Sequence, residues 1–208
     1  MIDLIAIENH LPALQVVIPL LLAPVAILVS LPFLSWLIAL FGSLFCLYAS
    51  VSLFFHVSEF GKINYFMGGW LPPYGIEYVI DEASSFMIVL ISLMGVFATI
   101  FAYQSLKKEI NKKSQSKVYG MWLLALGGLL GLVTTGDAFN LFVFLEISSL
   151  SSVTLVALGS KKDKRALTAA FNYLLIGAVG ATFYVIGVGL LYSVTGTLNI
   201  CLLYTSPS

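Results

Sequence analysis

The chain has 208 residues, of which 60% are hydrophobic and only 10% charged, and its mean hydropathy is +1.02. A soluble domain needs a polar shell that this composition cannot supply, so the chain belongs in a bilayer. Ten basic residues balance ten acidic ones, which leaves no electrostatic case for nucleic acid or for an acidic partner.

A helix needs about 20 apolar residues to cross a hydrocarbon core of about 30 Å. Six stretches meet or nearly meet that length, at approximately 13–31, 33–55, 82–103, 119–135, 138–158 and 167–192. Asp3 and Glu8 precede the first without any Lys or Arg, a pattern unlike a cleaved secretory signal. Pro19 and Pro24 predict bending inside the first span, and Pro32 predicts a turn over Ser30 to Phe33 that folds spans one and two into an antiparallel hairpin. Residues 56–81, "HVSEFGKINYFMGGWLPPYGIEYVID", read as an extended surface loop with interfacial aromatics at Tyr65, Trp70, Tyr74 and Tyr78. Ile76 to Ile80 alternates loosely enough for a minor strand.

Gly127 and Gly131 in span four, and Gly177 and Ala181 in span six, carry small residues four apart, which lets helix backbones approach closely. Gly136 and Asp137 predict a tight connection between spans four and five, with Asp137 capping the fifth helix. The connection after span three holds Lys107, Lys108, Lys112, Lys113 and Lys117, and the one after span five holds Lys161, Lys162, Lys164 and Arg165. Those are nine of the ten basic residues, leaving only Lys62. With six spans both connections lie on one face, so the positive-inside rule predicts a multi-pass protein of the cell (plasma) membrane. Residues 104–118 and 159–166 are then cytoplasmic and the loop 56–81 is outside.

One acidic side chain falls inside a span. Glu146, in "NLFVFLEISSL", is about nine residues into the fifth helix and so roughly 12 Å from its end. A charge at such depth costs on the order of 3 kcal/mol by insertion scales. Helical spacing gives Glu146 a face shared with Phe139, Phe142, Val143, Ser149, Leu150 and Val153. A carboxylate beside the Ser149 hydroxyl suits either a structural hydrogen bond or a step in a water-filled proton path. Ser148, Ser151, Ser152 and Thr154 fall on other faces, where hydroxyls commonly bond back to their own helix. Cys46 and Cys201 read as packing thiols and His10 and His56 as boundary residues, with none at metal-ligand spacing. No phosphate loop, dinucleotide fingerprint, HExxH or CxxC is present, so neither a cofactor nor a metal is expected.

Three stretches carry a family resemblance: "GGWLPPYGIEYVIDEASSFMIVLIS", "TGDAFNLFVFLEISSLSSVTLVALG" and "AAFNYLLIGAVGATFYVIGVGLLYSVTGTLN". Together they resemble the antiporter-like subunits, meaning the D-type subunits of multisubunit cation/proton antiporters and their relatives in respiratory complex I and membrane-bound hydrogenases. The resemblance implies an all-α integral membrane fold of about fourteen helices, of which residues 1–200 would be the N-terminal part. It implies that Glu146 handles protons and pairs with a lysine on a seventh helix that this sequence does not contain. The expected partners are other membrane subunits, protons and sodium. The function it implies is that of a proton-conducting subunit of a sodium/proton antiporter. The alternatives are a proton-pumping subunit of an NADH:quinone oxidoreductase or hydrogenase complex, with redox ligands elsewhere, and a structural membrane scaffold. After "TGTLNI" the chain reads "CLLYTSPS", which resembles translated sequencing-adaptor sequence, so residues 201–208 are expected to be a non-native tail.

Overall fold

Apolar runs become helices wherever the bilayer leaves backbone groups no other partner, and six long helices form among the described residues. The computed structural model describes residues 10–29, 31–159 and 164–205. Its helices are α1 (Leu11–Leu28), α2 (Pro32–Phe60), α3 (Glu82–Glu109), α4 (Lys112–Thr134), α5 (Ala138–Leu158), α6 (Arg165–Thr195) and the short α7 (Ile200–Thr205). A two-stranded antiparallel sheet, β1 (Ile63–Phe66) with β2 (Glu77–Ile80), lies between α2 and α3. The first six helices are each long and apolar enough to cross a membrane.

All six expected spans are present, but most of the helices overrun their apolar windows. Hydropathy marks where lipid is, whereas helix ends are set by caps and breakers. The α2 helix continues to Phe60 and stops at Gly61, whose φ of 83° suits glycine. The α3 helix runs on through Lys107 and Lys108, cations favourable to a helix C-terminus, and α4 already starts at Lys112. Only Ile110 and Asn111 remain between them, so most of the expected 104–118 loop is helical. At the other end of α3, Asp81 and Ser84 form a capping box, each side chain 2.8 Å from the other's backbone nitrogen.

Pro32 sits in the first turn of α2, where its missing N–H costs nothing. Ser30 lies outside the described residues. Across this turn the Ser35 hydroxyl is 2.9 Å from the Ala26 carbonyl and 2.9 Å from the Ser116 hydroxyl of α4. It therefore ties α1, α2 and α4 at one point.

The loose alternation at Ile76 to Ile80 becomes β2, paired in register Ile63 to Ile80 and Phe66 to Glu77 with a strand at Ile63–Phe66 that the sequence did not announce. The sheet does more than decorate a loop. Tyr78 bridges to Thr135, and Asp137 bridges to Asn199. The Gly136 N–H donates to the Glu77 carbonyl at 2.8 Å, and the Ala138 N–H donates to the Leu198 carbonyl at 2.9 Å. The hairpin, the α4–α5 connection and the chain leaving α6 are thus joined by backbone pairing at one end of the bundle.

The α4 helix is the centre of the molecule, packing on α1, α2, α3 and α5, whereas α6 packs chiefly on α5. Accordingly 61% of the apolar window of α4 is buried, against 17% for α5 and 11% for α6. Close approach is bought with small and hydroxylic residues, since apolar surface alone gives helices no preference for each other over lipid. Ser43 and Ser50 of α2, and Ser85, Ser92 and Thr99 of α3, are all buried and spaced by heptads along their helices. At the end nearest the lysines Thr99 Oγ1 lies 3.1 Å from Ser43 Oγ and accepts from the Trp122 indole at 2.9 Å.

Candidate functional site

The orientation of α5 follows from its two packed sides. Toward α4, Phe144 fills the space over Gly131 and the Ser148 backbone lies against Gly128. Toward α6, Phe142 stacks on Tyr184 with centroids 6.5 Å apart, the Tyr184 hydroxyl donates to the Ala138 carbonyl at 3.0 Å, and Ser149 lies against Gly177. Glu146 is two residues from both Phe144 and Ser148, which at 100° per residue turns it roughly opposite α4. It stands half-buried at the rim where the α6-facing side of α5 meets the open side, flanked by exposed Phe139, Val143 and Leu150. Among the described residues no hydrogen bond or ion pair reaches it.

Ser149, the neighbour expected on that face, points instead toward α6 and is not bonded to Glu146. With Ser148, Ser152, Tyr173 and Gly177 it lines an open groove of about 320 Å³ between α5 and α6. The groove starts within a turn of Glu146 and runs toward the lysine-bearing end. Ser148, Ser151, Ser152 and Thr154 each donate to a carbonyl three or four residues back, which satisfies their protons and leaves oxygen lone pairs for water. Tyr173 and Tyr184 of α6 complete the surroundings of α5, and no local sequence signal ties these tyrosines to Glu146.

Above Glu146, Asp137 caps α5 as expected, its Oδ1 accepting from the Asn140 N–H at 2.7 Å. The Asn140 amide donates to Thr135 Oγ1 at 3.0 Å. Burial pushes the Asp137 carboxyl above its ordinary value, opposed by the N–H groups of Asn140 and Phe139. Glu77 is buried beside it and accepts from the Asn199 amide at 2.6 Å. Glu77 and Asn199 are 122 residues apart, so no local pattern connects them. Cys46 is buried as expected, whereas Cys201 is exposed. Among the described residues no group of His, Cys, Asp and Glu could hold a metal ion.

A carboxylate at membrane depth beside a hydroxyl-lined groove can take up and release a proton through water without other chemistry. The family described as NADH dehydrogenase I, subunit N related protein matches residues 47–206. The chain belongs to this family. It is 41% identical over 193 residues to NADH-quinone oxidoreductase subunit N of Desulforudis audaxviator, covering 91% of this chain and 38% of that protein. It is 32% identical over 192 residues to the D-type subunit of the Na(+)/H(+) antiporter of Alkalihalophilus pseudofirmus, covering 92% of this chain and 38% of that protein. Among solved structures, the archaeal membrane-bound sulfane sulfur reductase matches with a TM-score of 0.84 and 31% identity, over 93% of this chain and 39% of the matched chain. The Mrp complex from Dietzia sp. DQ12-45-1b matches with a TM-score of 0.83 and 30% identity, over 93% and 36%. This member is a multi-pass membrane protein that spans well under half the length of these relatives.

Proposed function

We propose that the chain forms part of a longer, proton-conducting subunit of a multisubunit sodium/proton antiporter, in which Glu146 carries the proton. The observation that supports this most is the position of Glu146. It is the one acid inside the apolar windows of the sequence, half-buried, turned away from α4, unpartnered among the described residues and adjacent to the serine-lined groove. A carboxylate whose proton affinity responds to a neighbouring cation needs such an uncommitted position. The lysine partner belongs to the portion of the subunit beyond these residues, and the other antiporter subunits are its partners. Residues 1–200 act as one membrane domain, and residues 201–208 are a non-native tail. The lysine-bearing ends of α3, α4 and α6 face the cytoplasm and the β1–β2 hairpin faces outside.

In the full-length subunit, Glu146→Gln should abolish cation-driven proton movement in inverted vesicles while leaving membrane insertion at the wild-type level. Full retained transport would sink the assignment. The 41% identity to a subunit N favours a second reading, in which the same proton path serves an NADH:quinone oxidoreductase-like complex. Purification of the intact assembly separates the two. Small antiporter subunits co-purify under the first reading, and flavin- or iron–sulfur-bearing subunits under the second.

A further inference from the structure

Gln15 is a polar residue four positions into α1, and its side chain is 0% exposed. Among the described residues its amide nitrogen has no hydrogen-bond partner. Its amide oxygen has only the Ser50 hydroxyl of α2, at 3.5 Å, the outer limit for such a bond. Exchanging the two ends of the amide would not cure this, because the oxygen would then be the unpaired end.

The backbone of the same residue is also short of a partner. Gln15 precedes Pro19 by four, and proline has no N–H to give to the Gln15 carbonyl. Among the described residues, the side chain that reaches that carbonyl is the Cys46 thiol, a weak donor, at 3.5 Å. The proline-bearing α1 is pressed against α4, where Gly127 leaves room for Pro19 and Leu20. Ser50 is itself 0% exposed. Three under-satisfied polar groups therefore meet in a buried place between α1 and α2, and none of their residues lines the α5–α6 groove.

A buried polar group without a partner costs about 1–3 kcal/mol, and an internal water with two to four polar neighbours is the usual way to avoid that cost. We propose that the α1–α2 interface binds an internal water molecule. It accepts from the Gln15 amide and donates to the Ser50 oxygen and to the Gln15 carbonyl freed by Pro19. The site is neutral: Gln15, Cys46 and Ser50 carry no charge, and the amide N–H disfavours a cation. It makes the first helical hairpin a second hydrated place in the protein, independent of the proton-carrying role proposed for Glu146.

The test uses the full-length protein in lipid nanodiscs, imaged at a resolution that reveals other buried waters. A density peak within hydrogen-bonding distance of both the Gln15 amide and the Ser50 hydroxyl is expected, and it should vanish in Gln15→Leu. Its absence, while other buried waters are visible, would overturn the proposal. So would a peak that appears only when sodium or potassium is present. Thermal melting gives an independent reading by its sign. Gln15→Leu should lower the midpoint by a few degrees, because it expels the water and strands Ser50 and the Gln15 carbonyl. Adding Ser50→Ala should then recover part of the loss. A higher midpoint for Gln15→Leu would mean that the leucine merely replaces a dry, unpaired amide, and the water site would fall.

Discussion

Asp81 and Asp137 each cap a helix, yet their surroundings drive them in opposite directions. The Ser84 N–H, and then its hydroxyl, hold the largely exposed Asp81 carboxyl below its ordinary value. Burial raises that of Asp137. A carboxyl whose value is raised on folding binds more protons folded than unfolded, so stability falls as pH rises from the ordinary carboxylate range through the raised value. Asparagine caps helices about as well as aspartate and has no charge to bury. Asp137→Asn should therefore keep α5 capped, raise the melting midpoint at neutral pH, and flatten its decline between acidic and neutral pH, as read from melts across a pH series. At this scale the sequence was most informative where a residue type conflicts with its surroundings. Glu146 stood out because a carboxylate in an apolar helix is costly wherever its neighbours lie. Gln15 carried the same signal more faintly, as an uncharged amide near the start of an apolar run. Glu77 carried none, because its burial depends on Asn199, a residue from the far end of the chain.

The helices owe their arrangement to where side chains are missing. A Cβ on Gly128 would lie 2.8 Å from the Ser148 backbone nitrogen, a contact that no rotamer change can relieve. Gly128→Ala should therefore force α5 away from α4 and cost about 1–3 kcal/mol, the usual range for overpacking. Denaturant titration of the purified protein would measure it, and an unchanged midpoint would contradict the packing. The pair singled out by spacing, Gly127 and Gly131, does not serve a single partner. Gly127 receives Leu20 and Pro19 of α1, while Gly131 receives Phe144 of α5. Spacing reveals that a helix is smooth, but the neighbour to which each smooth patch belongs depends on the fold. For the same reason β2 could be anticipated from alternation whereas β1 could not: "INYF" gains its pairing only from a partner strand that lies beyond an intervening loop.

Over the whole molecule most of the basic residues lie at one end of the bundle and most of the acids at the other, with Glu109 and Lys62 the exceptions among the described residues. Lys107, Lys108, Lys112, Lys117, Lys164 and Arg165 gather at one end of the bundle, and Glu77, Asp81, Glu82 and Asp137 at the other. The orientation proposed from this asymmetry can be tested by single-cysteine labelling of whole cells. Cysteine at Tyr74, 89% exposed in the hairpin loop, should react with a membrane-impermeant maleimide. Cysteine at Lys108 should react only after the cells are opened, and the reverse pattern would invert the topology. The number of spans was legible because each meets or nearly meets the bilayer's length requirement, and the central place of α4 was not, since hydropathy, although lowest for α4, does not say which helix packs against which.

The backbone pairing of the hairpin, the α4–α5 connection and the chain after α6 also fixes an order of events during synthesis. The ribosome delivers Glu77 first and Asn199 122 residues later. While α5 is entering the bilayer, the Ala138 N–H has no Leu198 carbonyl to receive it, and Tyr184 is not there to meet Phe142. Glu146 thus crosses the translocon on a helix that is not yet held at its upper end. The turn after α6 is the last stitch, and α5 is locked only when the chain that follows it has been threaded back across the membrane.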